Sequence, residues 1–171
     1  QSLRQAVQEH SESSHTIYAE LDGIGAGAGQ PNDTLFAWQW GAHNDGSFNS
    51  SAVPDADMDL PEAWDIQTGS PSVIIAVLDS GTNLSEPDFV ANLWTNSAEI
   101  PGNGLDDDQN GYVDDVHGYD FVNNDGDPDD DHGHGSNVAS VSSAVGDNNL
   151  AYAGVCWNCQ LMTGKNLNSG N

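Results

Sequence analysis

Asp79 and His134 are the residues whose surroundings point most directly to chemistry. Asp79 closes the apolar run Ser72-Val-Ile-Ile-Ala-Val-Leu78 and is followed by Ser80 and Gly81. His134 stands between Gly133 and Gly135 and opens the segment Ser136-Asn-Val-Ala139. A histidine that acts as general base needs a carboxylate on its far ring nitrogen, which fixes the tautomer and stabilises the imidazolium. The flanking glycines let the backbone turn tightly and approach neighbouring strands. Taken singly, Asp79 reads equally well as a strand-end cap and His134 as a helix-start or surface histidine.

A second set of residues has the pattern of a hard-cation loop. In Asp106-Asp-Asp108-Gln-Asn110-Gly111-Tyr112-Val-Asp114-Asp115, oxygen ligands fall on alternate positions from Asp106 through Asp108 to Asn110. Gly111 then allows the turn, the Tyr112 carbonyl follows, and Asp114 or Asp115 supplies the last carboxylate. His117 stands where an EF-hand would carry its bidentate Glu, so the loop is not a complete EF-hand. The expectation is one structural Ca²⁺. Asp125, Asp127 and Asp129–Asp131 read as a weaker second site or a solvated loop. Asp131-His-Gly-His134 lacks further His or Cys at ligand spacing and makes a poor transition-metal site. Cys156-Trp-Asn-Cys159 precedes a strand rather than opening a helix, which gives no support to thiolate activation. A local disulfide or buried thiols are favoured over a redox pair or half a zinc site.

The elements that must position these residues follow from the apolar pattern. The near-continuous aliphatic run 72–78 predicts a strand buried on both faces, the mark of a parallel sheet covered by helices. An acid at the carboxyl end of such a strand sits where chemistry gathers in open α/β sheets. Asn137–Val145 predicts a helix of small residues closed by Gly146, and Gln160–Leu167 a last strand. Leu60–Trp64 predicts a short helix with Asp59 as N-cap and Pro61 in its first turn. Upstream, Gln1–Tyr18 reads as a short helix and residues 19–34 as a glycine-rich linker. The domain division is therefore 1–34, an extension and possible pro-region remnant, and 35–171, the folded part.

These segments resemble subtilases, the subtilisin-like serine proteases. Asp79-Ser-Gly is similar to their Asp-Thr-Gly motif, and His134-Gly-Ser-Asn-Val-Ala to their His-Gly-Thr-His-Val-Ala motif. Phe36-Ala-Trp-Gln-Trp40, the block from Asp57 to Asp65, the acidic loop and His117-Gly-Tyr-Asp-Phe-Val122 resemble the secreted bacterial-type branch. The likeness runs over about residues 35–168. It implies an α/β fold, here the N-terminal portion of a doubly wound parallel sheet, with Asp79 as orienting acid and His134 as general base. Three supporting positions depart from the family: Asn137 replaces a His, Ser140 a Gly, and Glu86 the His expected before Pro87-Asp88. The family's Gly-Thr-Ser-Met-like nucleophile elbow and its oxyanion Asn do not occur in these 171 residues. Ser136, Ser140, Ser142, Ser143 and Ser169 all lack the strand-to-helix setting that exposes an activated hydroxyl.

Charge excludes several partners. The chain carries 27 Asp and Glu against two basic residues, Arg4 and Lys165, for a net charge of −25. Nucleic acid and anionic membranes repel such a surface. No apolar run approaches the roughly 18 residues of a membrane span. Gln1–His10 is polar and does not read as a signal peptide; a start at Gln1 reads as a mature product whose leader is gone. Sequons at Asn32, Asn49 and Asn83 add weight to secretion. Two functions follow: a serine endopeptidase seen as its Asp/His-bearing part, acting on peptide or protein, or a non-catalytic, calcium-stabilised structural or interaction subunit. In either case a second polypeptide is expected to complete the domain or pack on its edge.

Overall fold

The computed structural model describes Gln5, Gln8 and residues 30–168. Apart from Gln5 and Gln8, the helix expected within Gln1–Tyr18 therefore lies outside the described residues, as does most of the linker. A single turn of 3-10 helix, Phe36–Trp38, is followed by α1 (Leu60–Trp64), β1 (Ile74–Asp79), β2 (Gly118–Asp120), α2 (His134–Ser143) and β3 (Gln160–Lys165).

The three strands form one parallel sheet in the order β1-β3-β2. Register pairs Asp79 with Lys165, and Lys165 with Asp120, so the three carboxyl ends are level. The connection from β2 through α2 to β3 is the crossover that parallel pairing demands. The helix lies against the sheet along Gly135, Ala139 and Ser143, all buried. A Cβ at Gly135 would run into the Gly81 carbonyl, so only glycine lets the helix start meet the turn after β1.

The core is in two parts. Val77, Phe89, Ala139, Ala144 and Leu161 fill the space between sheet and helix, with Ile75 and Leu93 against them. Phe36, Ala42, Leu60, Trp64 and Ala153, with Trp157, form the other. The tryptophans divide accordingly: the Trp64 and Trp157 rings pack tilted with centroids 4.8 Å apart, whereas Trp38 and Trp40 are exposed. The end of the expected linker is ordered onto this core. Thr34 and Leu35 donate N–H to the Leu150 and Ala151 carbonyls, and the Asp147 N–H donates to Asp33 Oδ2 at 2.7 Å.

Several expectations are corrected. Among the described residues β1 is an edge strand of the sheet and is not buried on both faces: Ile74, Ala76 and Leu78 on its outer face are exposed. Its apolar run reports that both faces are built for burial, but the described residues cover one. The N-cap expected at Asp59 does not form: this residue takes left-handed φ of 52°, and its side chain makes no cap bond. Helix α2 begins three residues before the expected Asn137, because its first N–H groups are satisfied from outside the helix. No helix among the described residues is long and apolar enough to cross a membrane.

Candidate active site

The level strand ends and the start of α2 bring Asp79 and His134 together. His134 Nδ1 lies 2.7 Å from Asp79 Oδ1, and the same oxygen accepts the Ser80 N–H at 2.7 Å. Asp79 is buried, whereas the imidazole is 62% exposed. One ring nitrogen is thus held by the protein and the other, Nε2, is left for a reacting group. Burial works against the charge of Asp79, but the bonds from His134 and the Ser80 N–H outweigh it and hold the carboxyl below its usual 3.8. Gly81 makes this geometry feasible. It has φ of +107°, and a side chain there would meet the Asp129 backbone.

The serines of α2 are engaged locally. The Ser136 hydroxyl donates to Asp130 Oδ2, Ser140 to the Asn137 carbonyl, and Ser142 to the Ala139 carbonyl. None of them approaches His134 in these contacts. Glu86, Asn137 and Ser140, the three departures noted in the sequence, all line one cleft beside α2, together with Asn83, Asp129 and Tyr152.

In the acidic loop the structure groups Asp106 and Asp108 with Glu99, which the sequence reading missed. Ligand oxygens of these three lie within 4.8 Å of one another, and among the described residues they are the carboxylates grouped closely enough to share an ion. Glu99 is buried; its Oε1 accepts the N–H groups of Asp107 and Asp108, and its Oε2 that of Asp114. Asp106 accepts from the Asn110 and Gly111 N–H groups, which curls the loop. Asn110 Nδ2 reaches Asp108 Oδ2 at 3.2 Å and Asp115 Oδ2 at 3.1 Å, so Asp115 stays on the inner side. Both Asp114 oxygens instead take the Asn103 and Gly104 N–H groups. Tyr112 donates its N–H to Asn110 Oδ1, and its ring packs tilted against Tyr119 and edge-on against Phe121, clamping the loop to β2. The Asn96 side chain, bridging Asp108 and Asp115, is the main reason that Asp108 sits below the ordinary carboxyl value.

This donor set fits a hard cation: oxygens alone, closely spaced, on one tightly turned loop. A second acidic pair lies under the 147–152 loop. Asp33 and Asp88 are both buried there, and Asp33 Oδ1 has no hydrogen-bond partner. Burial first, and the charge of Asp88 as well, push the Asp33 carboxyl up. Burial of that oxygen favours the protonated carboxyl over the charged one. Residues 125–131, read as a weaker second site or a solvated loop, do not gather their carboxylates into a cluster among the described residues. Asp129 takes the Leu84 N–H, Asp131 pairs with Lys165, and Asp130 is filled by neighbouring donors. Cys156 and Cys159 form a disulfide, so the thiol alternatives fall away.

Comparison with known proteins gives the family and the fold. The profile of the Peptidase_S8 family, described as the subtilase family, matches residues 70–171. Subtilisin-like protease 1 of Plasmodium berghei is 45% identical over 94 residues, which cover 54% of this chain and 16% of that protein. Thermitase of Thermoactinomyces vulgaris is 30% identical over 128 residues, covering 74% of this chain and 38% of that one. The structure of an Aeromonas sobria serine protease in complex with its chaperone superimposes with a TM-score of 0.59 at 21% identity, covering 95% of this chain and 24% of that chain. The chain thus spans far less than two thirds of the relatives it matches.

Proposed function

This chain belongs to the subtilase family, and from that premise we propose that it supplies the acid and base of a serine endopeptidase. The observation that carries the reading is the 2.7 Å contact between a buried Asp79 and an exposed His134. Asp79 holds the imidazole with its proton on Nδ1 and stabilises the cation formed there. Nε2 takes the proton of a serine hydroxyl as that oxygen attacks the peptide carbonyl, and returns it to the leaving amine. In deacylation the same nitrogen takes a proton from water and gives it back to the serine. The nucleophile is assigned to polypeptide outside residues 1–171 because the family's Gly-Thr-Ser-Met-like elbow does not occur in them, and the hydroxyls of Ser136, Ser140 and Ser142 are engaged in local bonds.

Residues 35–171 are on this reading the N-terminal part of the catalytic domain, and residues 1–34 an extension of it. Ca²⁺ would be held by Asp106 and Asp108 with Glu99, with Asn110, Tyr112 and Asp115 in the same loop; it would supply charge neutralisation for the acidic cluster. The disulfide and the acidic surface support an oxidising, extracellular setting. The substrate class is peptide or protein. The test is to label the full-length protein with a fluorophosphonate probe. One serine should label in the wild type, and labelling should collapse in His134→Ala. A folded full-length protein that never labels would leave the calcium-stabilised scaffold as the better reading.

A further inference from the structure

Beside Asp79 and His134 stands a third carboxylate that the acid–base chemistry does not use. Asp130 Oδ1 accepts the Ser80 hydroxyl at 2.8 Å and the His132 and Gly133 N–H groups at 2.9 Å each. Its Oδ2 accepts the Ser136 N–H at 2.9 Å and the Ser136 hydroxyl at 2.6 Å. The Ser80 oxygen in turn accepts the Gly135 N–H at 2.9 Å. One carboxylate therefore joins the end of the strand that carries Asp79 to the first turn of the helix that carries His134. The N-cap residue, Gly133, has no side chain, and Asp130 satisfies the helix start in its place.

The loop bearing Asp130 is fastened on both sides of it. Lys165, at the end of β3, donates to the Asp129 carbonyl at 2.9 Å and reaches Asp131 Oδ2 at 3.2 Å. Burial opposes the Asp130 charge, but the Ser136 hydroxyl and the backbone N–H groups hold its carboxyl well below the usual range. It is a fixed anion whose oxygens are filled by donors, which leaves it a positional part and no reacting one.

We propose that Asp130 is a positioning residue that sets the contact between Asp79 and His134. The proposal rests on reading that pair as acid and base. A plain helix cap would matter for stability alone; a positioning residue must also show at the imidazole.

The test uses full-length protein carrying Asp130→Asn, Ser80→Ala or Ser80→Thr. Ser80→Ala leaves the helix-side bonds of Asp130 intact and removes both bonds of the Ser80 hydroxyl, to Asp130 and from the Gly135 N–H, so it tests the strand-to-helix link as a whole. Asp130→Asn and Ser80→Ala should lower kcat by about 10- to 100-fold with KM nearly unchanged, the scale of a misplaced catalytic group. In both variants the His134 NMR titration midpoint should move to lower pH, because the imidazolium loses its well-placed carboxylate. Ser80→Thr, which restores the hydroxyl, should recover both. Wild-type kcat and an unmoved His134 titration in Asp130→Asn and Ser80→Ala would overturn the proposal and leave a helix cap. A wild type without peptidase activity would sink the protease reading instead; the His134 titration, read in the same samples, would still decide the role of Asp130.

Discussion

Asp79 and Lys165 lie side by side as register partners at the ends of β1 and β3, yet they do not pair. The ammonium turns to Asp120 Oδ2 at 3.5 Å and Asp131 Oδ2 at 3.2 Å, while Asp79 holds His134 and the Ser80 N–H. This division has a chemical consequence. A lysine on Asp79 would neutralise the charge that favours the imidazolium, and His134 would be a weaker base. The sheet end therefore keeps one anion for the imidazole and spends its cation on Asp120 and the neighbouring loop.

In the full-length protein, Asp79→Asn should leave the fold intact and lower kcat by about 10⁴-fold. An amide at this position can hold the ring but favours the wrong tautomer and carries no charge. Steady-state kinetics at saturating peptide is the measurement, and a loss under tenfold would remove Asp79 from the orienting role.

Acid sensitivity follows from the same carboxylates. Asp79 and Asp130 both sit below 3.8 in the folded chain. A depressed carboxyl adds stability that is complete above its unfolded value and is lost as pH falls through the folded one. Wild type should therefore lose stability steeply below about pH 4, and Asp130→Asn less steeply. Urea midpoints at pH 3 and pH 6 give the comparison; equal losses in both proteins would contradict it.

Lys165 and Asp120 are nearly inaccessible, with side chains 6% and 1% exposed. Removing one partner of a buried pair strands the other charge, so Lys165→Met should destabilise by about 3–5 kcal/mol. Asp120 keeps its bonds from Val122, Asn123 and the Asn123 amide, which limits the loss to the lower part of that range. Adding Asp120→Asn to Lys165→Met should restore part of the stability. Chemical unfolding of both variants checks this, and a double variant weaker than the single would show that the charge was not the cause.

Calcium removal should lower the melting temperature appreciably. A ligand at about 100 times its Kd adds about 2.7 kcal/mol, all of which chelation removes. Glu99→Gln keeps an acceptor for the Asp107 and Asp108 N–H groups but removes a charge from the cluster, so it should weaken calcium affinity more than it disturbs the loop. Calorimetric titration distinguishes the two. Identical melting in EDTA and in excess calcium would exclude a structural ion.

Much of the site was legible in the sequence because its signals are local. Asp79 ends an aliphatic run, His134 lies between glycines, and Asp106 and Asp108 alternate toward Asn110-Gly111. Glu99 was not legible, because it joins the cluster only when the 96–100 turn folds back over the acidic loop. The early start of α2 was hidden for a similar reason: Gly133-His-Gly-Ser136 has weak helix propensity, and its cap comes from Asp130 in the preceding loop. The edge position of β1 was missed because an apolar run reports that a face must be covered and does not say which residues cover it. Asp114 shows the limit of spacing itself, since its carboxylate turns to the Asn103 and Gly104 N–H groups instead of its own loop.

The outer face of β1 gives the last prediction. Ile74, Ala76 and Leu78 alternate along one side of the strand and all are exposed, Leu78 at 62%. Val138 and Val141 of α2 are exposed as well. Aliphatic side chains in such a row on a sheet edge mark a surface that associates. The expected cover is the polypeptide that completes the domain, and the effect of a charge at Leu78 reports whether it is there. A substitution at a residue exposed in the finished protein changes stability by less than about 0.5 kcal/mol. A charge placed in a packed interior costs several times as much. In the full-length protein, Leu78→Glu should therefore destabilise by about 2 kcal/mol or more and reduce soluble yield, whereas Ile66→Glu, at an exposed residue outside this row, should be nearly neutral. Chemical unfolding of the two variants decides it. If Leu78→Glu is as stable as Ile66→Glu, the face is open to solvent in the whole protein and no second polypeptide covers it.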